Sequence, residues 1–163
     1  MTNYAACQND LEAPIDVDNH GGFYLNSRVR VVDVVDGLSQ TIFVGEVAVP
    51  SPLSWLSGTR ATLRNTGHPI NGVDLSTLEL TKPANPPLAE DLTARELETR
   101  IEVGNLAVSP RFVGGFSSAH PGNGANFAFG DGSVRFLKQT IDCSVYRRLG
   151  HRADGEPIDD DAY

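Results

Sequence analysis

The run Phe127-Ala128-Phe129-Gly130-Asp131-Gly132-Ser133-Val134-Arg135-Phe136 constrains the fold more than any other part of this chain. Two β-rich halves flank an Asp-Gly pair, the strongest short-range signature of a hairpin. A two-residue type I′ turn at Asp131-Gly132 needs positive φ at both positions, which this pair tolerates. It would set Gly130 opposite Ser133, Phe129 opposite Val134, Ala128 opposite Arg135 and Phe127 opposite Phe136. Residues directly opposed share a face, so Phe127, Phe129, Val134 and Phe136 are predicted to be buried together. A three-residue loop would place Phe129 opposite Ser133 and reverse that face pattern.

The 16 glycines and 10 prolines are spread through the 163 residues without a repeat period, so short turn-punctuated segments should favour β-structure over helix. Arg28-Val29-Arg30-Val31-Val32 alternates as a half-buried strand would, and Thr41-Ile42-Phe43-Val44, ended by Gly45-Glu46, reads as a second strand. Asp36-Gly37 between them marks a turn or a loop of several residues. Residues 47–90 hold Pro50, Pro52, Pro83, Pro86 and Pro87 and read as long connections. Thr93-x-x-Glu96 has capping-box form, and Leu92, Leu97 and Ile101 share a helical face. That helix is predicted to end near Gly104, with Arg95, Glu96, Glu98 and Arg100 in solvent. A second short helix is expected through Val145, Tyr146 and Leu149. The expected class is therefore α+β, a mainly antiparallel sheet with one or two short helices. Residues 1–153 should form one domain, followed by an acidic tail at 154–163 that reads as solvated.

A net charge of −8 argues against nucleic acid or an anionic membrane as the main partner, because both attract clustered Lys and Arg. No apolar run reaches the roughly 18 residues of a membrane span, and polar Thr2-Asn3-Tyr4 after Met1 does not read as a signal peptide. Cys7 and Cys143 belong to no C-x-x-C pair. They fit a long-range disulfide or two buried thiols.

Several segments, in order, resemble a family of secreted, pseudopilin-like proteins known as domain of unknown function 1559. They are Thr2-Asn3-Tyr4, Asn26-Ser27 before Arg28-Val29-Arg30, Asp36-Gly37-Leu38-Ser39-Gln40-Thr41-Ile42 leading to Gly45-Glu46, and Phe116-Ser117-Ser118-Ala119-His120-Pro121-Gly122 running into Phe129-Gly130-Asp131-Gly132. The last resembles the family's C-terminal signature, a histidine and an Asp-Gly nine residues apart. Here ten residues separate His120 from Asp131, and Ala119 stands where the family commonly has arginine. The resemblance implies a pseudopilin-like head, here the C-terminal half without its hydrophobic N-terminal helix. It also implies export to the cell envelope or beyond, and membrane contact only through that helix. The implied role is non-catalytic assembly with other pilin-like subunits or with itself, helped by an exposed sheet edge. The rival functions are a module binding an extracellular glycan or solute and a hydrolase using His120.

Candidate binding residues are His120, Glu46, Asp131, Trp55 and Tyr24. His120 most simply hydrogen-bonds backbone at a chain reversal; metal contact and catalysis are the sharper alternatives. Glu46 ends an apolar strand, where a buried carboxylate needs a partner. An arginine is the default, and a cation shared with His120 the alternative. Asp131 and Gly132 are assigned to the turn itself. Trp55 and Tyr24 are the aromatics to test as a sugar platform, although a single Trp is more often a core residue. Gly114, Gly115, Gly122 and Gly124 offer either an anion nest or flexible connection. No Gly-x-Ser-x-Gly elbow or His-Glu-x-x-His helix occurs. No cofactor is expected. Calcium is the metal to consider, yet Asp16-Val17-Asp18-Asn19-His20-Gly21 lacks the glutamate that would close an EF-hand loop, because Ser27 stands at that position.

Overall fold

The computed structural model describes residues 4–48, 62–72, 101–103, 106–108, 112–159 and 162–163. Trp55 and most of the helix predicted from Thr93 lie outside them.

Strands β1 (Tyr4–Asn9), β2 (Ile42–Glu46), β3 (Leu63–Asn65), β6 (Gly124–Phe129) and β7 (Val134–Lys138) form a five-stranded sheet in the order β3-β1-β2-β6-β7. The β1–β3 pair is parallel and the other three are antiparallel. A separate two-stranded antiparallel sheet joins β4 (Ile101–Val103) to β5 (Leu106–Val108). Ile101 therefore opens a strand, and the helix expected to end near Gly104 does not extend through it. Helix α1 (Cys143–Gly150) forms where Val145, Tyr146 and Leu149 predicted it. Asp142 caps it, its Oδ1 accepting from the amides of Ser144 at 2.7 Å and Val145 at 3.3 Å. The small, mainly antiparallel α+β class is as the sequence indicates.

One face of the sheet carries the core. Cys7, Ile42, Phe116, Phe127, Leu137, Tyr146 and Leu149 are all buried in one cluster. Phe127 meets Phe116 edge-on at 5.2 Å between centroids and Tyr146 at 5.8 Å. Each such ring contributes about 1.5–3 kcal/mol by leaving water. Gly45 makes this packing possible, since a Cβ there would lie 2.6 Å from both the Phe116 and Phe127 rings.

The hairpin exists, but with the other register. Phe127 pairs with Arg135 and Ala128 with Val134, and Phe129 N donates to Ser133 O at 2.9 Å. Gly132 N donates back to Phe129 O at 3.0 Å, and Gly132 has φ +85°. The loop is thus three residues, a turn followed by a glycine bulge in left-handed conformation. Val134 and Phe136 consequently face outward, exposed, while Leu137 joins the buried face. Arg135 takes the inner position instead. Its guanidinium lies 4.8 Å over Phe129 and 5.2 Å over Tyr163, so an apolar flank is covered by a cation–π sandwich. Gly130 explains the choice of loop. Its N donates to Thr41 O at 3.0 Å, and a Cβ would lie 2.9 Å from Leu38 and Phe43, so this residue is pressed against β2 and its approach.

The strand predicted at 28–32 is absent. Val31–Asp33 is a 3-10 turn, and Val31 and Val32 are exposed. Asp33 supplies the reason: its carboxylate accepts from Arg30 N at 2.8 Å and from Arg30 Nε at 3.0 Å. A local side chain satisfies the backbone and removes the need for a ladder. The Asp36-Gly37 segment is a loop with Gly37 at φ +97°, running into a second 3-10 turn at Leu38–Gln40. The last ten residues are not solvated throughout. Asp154 N and Gly155 N both donate to the Asp36 carboxylate at 2.8 Å, Ile158 is buried, and Tyr163 stacks on Phe129.

Candidate functional site

Beyond β2 the chain continues to Ala48, and the segment at 116–118 runs beside it. Ser117 N donates to Glu46 O at 3.0 Å and Ala48 N to Ser117 O at 2.9 Å. After Ser118 the chain must reverse to enter β6. Gly122 (φ +117°) and Asn123 (φ +52°) make that reversal. Glu46 sits where the two paths diverge, with its side chain largely buried.

The Glu46 carboxylate is engaged on both oxygens. Oε2 accepts from Asn126 N at 2.8 Å, and Oε1 accepts from Asn126 Nδ2 at 3.2 Å and faces His120 Nε2 at 3.1 Å. Ser118 also stabilises its charged form. Burial pushes this carboxyl up, but the bonds from Asn126, Ser118 and His120 outweigh burial and hold it below the usual carboxylate range. The expected arginine partner is replaced by histidine and asparagine. His120 itself bonds a side chain rather than backbone carbonyls, and its own N donates to Ser118 Oγ at 3.2 Å. A cleft of about 430 Å³ opens beside this pair, lined by Tyr4, Glu46, Ala48, Ser117, Ser118 and His120.

Chemically the arrangement is an acceptor engaged on both oxygens. A carboxylate offers about four lone-pair sites, and three partners within 3.2 Å engage them here. A carboxyl held below its usual range is a weak general base. Its geometry suits holding two chain segments together.

A second carboxylate of the same kind was invisible in the sequence. Glu12 accepts from Val113 N (2.8 Å), Gly114 N (2.9 Å) and Asn65 Nδ2 (2.8 Å), and faces His68 Nε2 at 3.1 Å. Burial raises this carboxyl, while His68, Val113, Asn65 and Gly114 together lower it further than burial lifts it. Its partners lie 53 to 102 residues away, so no local motif announces it.

The other predicted site residues do not converge on Glu46. Asp131 stands at the exposed hairpin tip, where Oδ1 accepts from Ser133 N at 2.9 Å and Ser133 Oγ at 2.7 Å. Both bonds hold its carboxyl below the usual value, as a turn residue requires. Tyr24 lies in another cleft under the Arg152 guanidinium, 5.0 Å from its ring. Gly115 and Gly124 are close-approach positions rather than flexible links, with a Cβ at Gly115 falling 3.0 Å from His68. Asp16 closes a small turn, accepting from Val17 N at 2.7 Å while its own N donates to Asn19 Oδ1 at 2.7 Å. Cys7 is buried and Cys143 exposed, both as free thiols, so neither a bridge nor a pair of buried thiols describes them.

All four histidines of the chain face a carboxylate. Besides His68 and His120, His20 Nδ1 lies 2.7 Å from Asp10 Oδ1, and His151 Nδ1 lies 3.9 Å from Asp36 Oδ2.

The profile of a family described as Protein of unknown function (DUF1559) matches residues 1–144. No curated protein and no solved structure matches the chain.

Proposed function

We propose a non-catalytic, structural role in the cell envelope for this chain, which belongs to the DUF1559 family. It would act as the head of a pilin-like subunit, exported and assembled with similar subunits or with copies of itself. The observation that supports this reading is the engagement of Glu46 by Asn126 and His120. The signature histidine and the Gly-Glu of β2 meet, and the carboxylate ties the His120 turn to β2 and β2 to β6.

Surface features agree with an assembling head. Val134 and Phe136 are exposed on β7, which is a terminal strand of the five-stranded sheet, and Val31, Val32 and Val35 are exposed around the first 3-10 turn. Unpaired strand edges and apolar side chains in water both favour association. Among the described residues no helix is long and apolar enough to cross a membrane, so any membrane contact would rest on other parts of a subunit.

Sedimentation analysis across a concentration series tests the reading. Association that weakens in a Val134→Lys, Phe136→Lys variant is expected. A strictly monomeric chain that turns over substrates in an ester, phosphate and glycoside screen would overturn it.

A second reading draws on the cleft beside His120. Its size and its mixture of Tyr4, two serines and a histidine suit a small polar solute or a sugar unit. A glycan array separates the two, because specific binding abolished by Tyr4→Ala would favour the binding module.

A further inference from the structure

Four carboxylate–imidazole pairs occur, but only one place brings two imidazoles together. The rings of His20 and His151 lie 4.6 Å apart between centroids, tilted by 45°. Asp10, His20 and His151 each offer a ligand atom, and these atoms all lie within 4.8 Å of one another. Asp36 and Asp154 form a second such group with the same His151. We propose that this junction is a binding site for a divalent transition-metal ion of the zinc type, held by Asp10, His20 and His151 with Asp36 and Asp154 alongside.

The scaffold is built before any ion arrives. Asn9 is buried at the end of β1, and its Oδ1 accepts from His20 N at 2.9 Å. Gly21 N donates to Gln8 O at 2.8 Å, and a Cβ on Gly21 would lie 2.5 Å from Cys7 O, so the loop is laid flat against β1. From the other side Arg152 N donates to His20 O at 3.1 Å, and Arg152 Nη1 donates to Asn19 O at 2.7 Å. The backbones of both histidines are thereby fixed to each other. His151 is also the residue that caps the C-terminus of α1, where exposed carbonyls favour a cation.

The donor set selects the metal. Two imidazole nitrogens and a carboxylate suit zinc and its neighbours, whereas calcium prefers six to eight oxygens. Tetrahedral zinc wants ligand atoms roughly 3.3 Å apart. His20, whose side chain is 47% exposed, has room to turn so that its 2.7 Å contact with Asp10 opens to that distance, the ion replacing their hydrogen bond. Ala153 N donates to His151 Nδ1 at 2.9 Å, so taking that imidazole as a ligand exchanges one exposed hydrogen bond for a coordinate bond. Water completes the shell on the solvent side. Such an ion would tie the end of β1 to a segment more than a hundred residues later.

Calorimetric titration of the full, untagged chain with zinc and then with calcium tests the site. One equivalent of zinc should bind, with calcium silent. His20→Ala should weaken zinc by more than about tenfold, and His120→Ala should leave it unchanged. Cobalt(II) should give a visible absorption band that His20→Ala removes. Asp10→Asn provides a second variant should His20→Ala disturb folding. No zinc binding, zinc binding of equal strength in both variants, or calcium binding at this place would each overturn the proposal.

Discussion

His120 Nε2 lies 3.1 Å from Glu46 Oε1, joining positions 74 residues apart in the chain. The contact fixes where the segment after Phe116 leaves the sheet and where it returns as β6. Asn126, at the third position of β6, closes the same carboxylate from the other side. The contact thereby clasps the histidine and glycine-rich stretch to β2.

Stability should depend on acid through this clasp and its counterpart at Glu12. Both carboxyls are held below their unfolded value of 4.5. Between the folded and unfolded values the unfolded chain binds more protons, so stability rises with pH there. It should be fully present above about pH 4.5 and be lost as pH falls through the lower folded values. Urea midpoints measured between pH 6 and pH 3 should show this loss, and Glu12→Gln should flatten it. A profile unchanged in that variant would contradict the assignment.

Glu12→Ala should be among the more damaging single changes. It strands the amides of Val113 and Gly114 and the side chain of the fully buried Asn65. Removing the shared acceptor of several buried donors costs about 2–4 kcal/mol. Equilibrium unfolding measures this directly, and a loss under about 1 kcal/mol would mean that the donors find other partners.

The two hairpin glycines should fail for different reasons. A Cβ on Gly132 meets nothing within 4 Å, so Gly132→Val costs only its φ of +85°, at least about 1 kcal/mol. Gly132→Asn should recover most of that, because asparagine tolerates the left-handed region. At Gly130 the strain is steric, against Leu38 and Phe43, and asparagine should rescue nothing. Comparing the unfolding free energies of the three variants checks the bulge assignment.

The thiols should be distinguishable in the native protein. Burial pushes the Cys7 thiol up to about 12, whereas Cys143 is exposed on the first turn of α1. A thiol reagent should modify Cys143 promptly and Cys7 only after denaturation. Two equally fast thiols, or none, would contradict this arrangement.

How much of this was legible depended on the range of the interaction. β2, the hairpin and α1 announce themselves through local pattern, since each needs only its own residues to define a period or a turn. The hairpin register was not legible, because an Asp-Gly pair fits a two-residue loop and a three-residue loop ending in a glycine bulge equally well. The deciding contact, Gly130 against Phe43, comes from a distant strand. The false strand at Arg28–Val32 had the right alternation, but Asp33 satisfied its backbone locally. Glu46 and His120 could be named from sequence as a pair worth watching. Glu12 with His68, and His20 with His151, could not, because only the folded chain brings them together.

The most direct test of the clasp is a double-mutant cycle on Glu46 and His120, using Glu46→Gln, His120→Ala and the pair, followed by urea unfolding. With His120 half exposed, the coupling should be modest, about 0.5–1.5 kcal/mol, and it should shrink once Glu46 is protonated. A coupling within about 0.3 kcal/mol of zero would mean that His120 does not hold the 117–120 segment to the sheet, and would contradict the account.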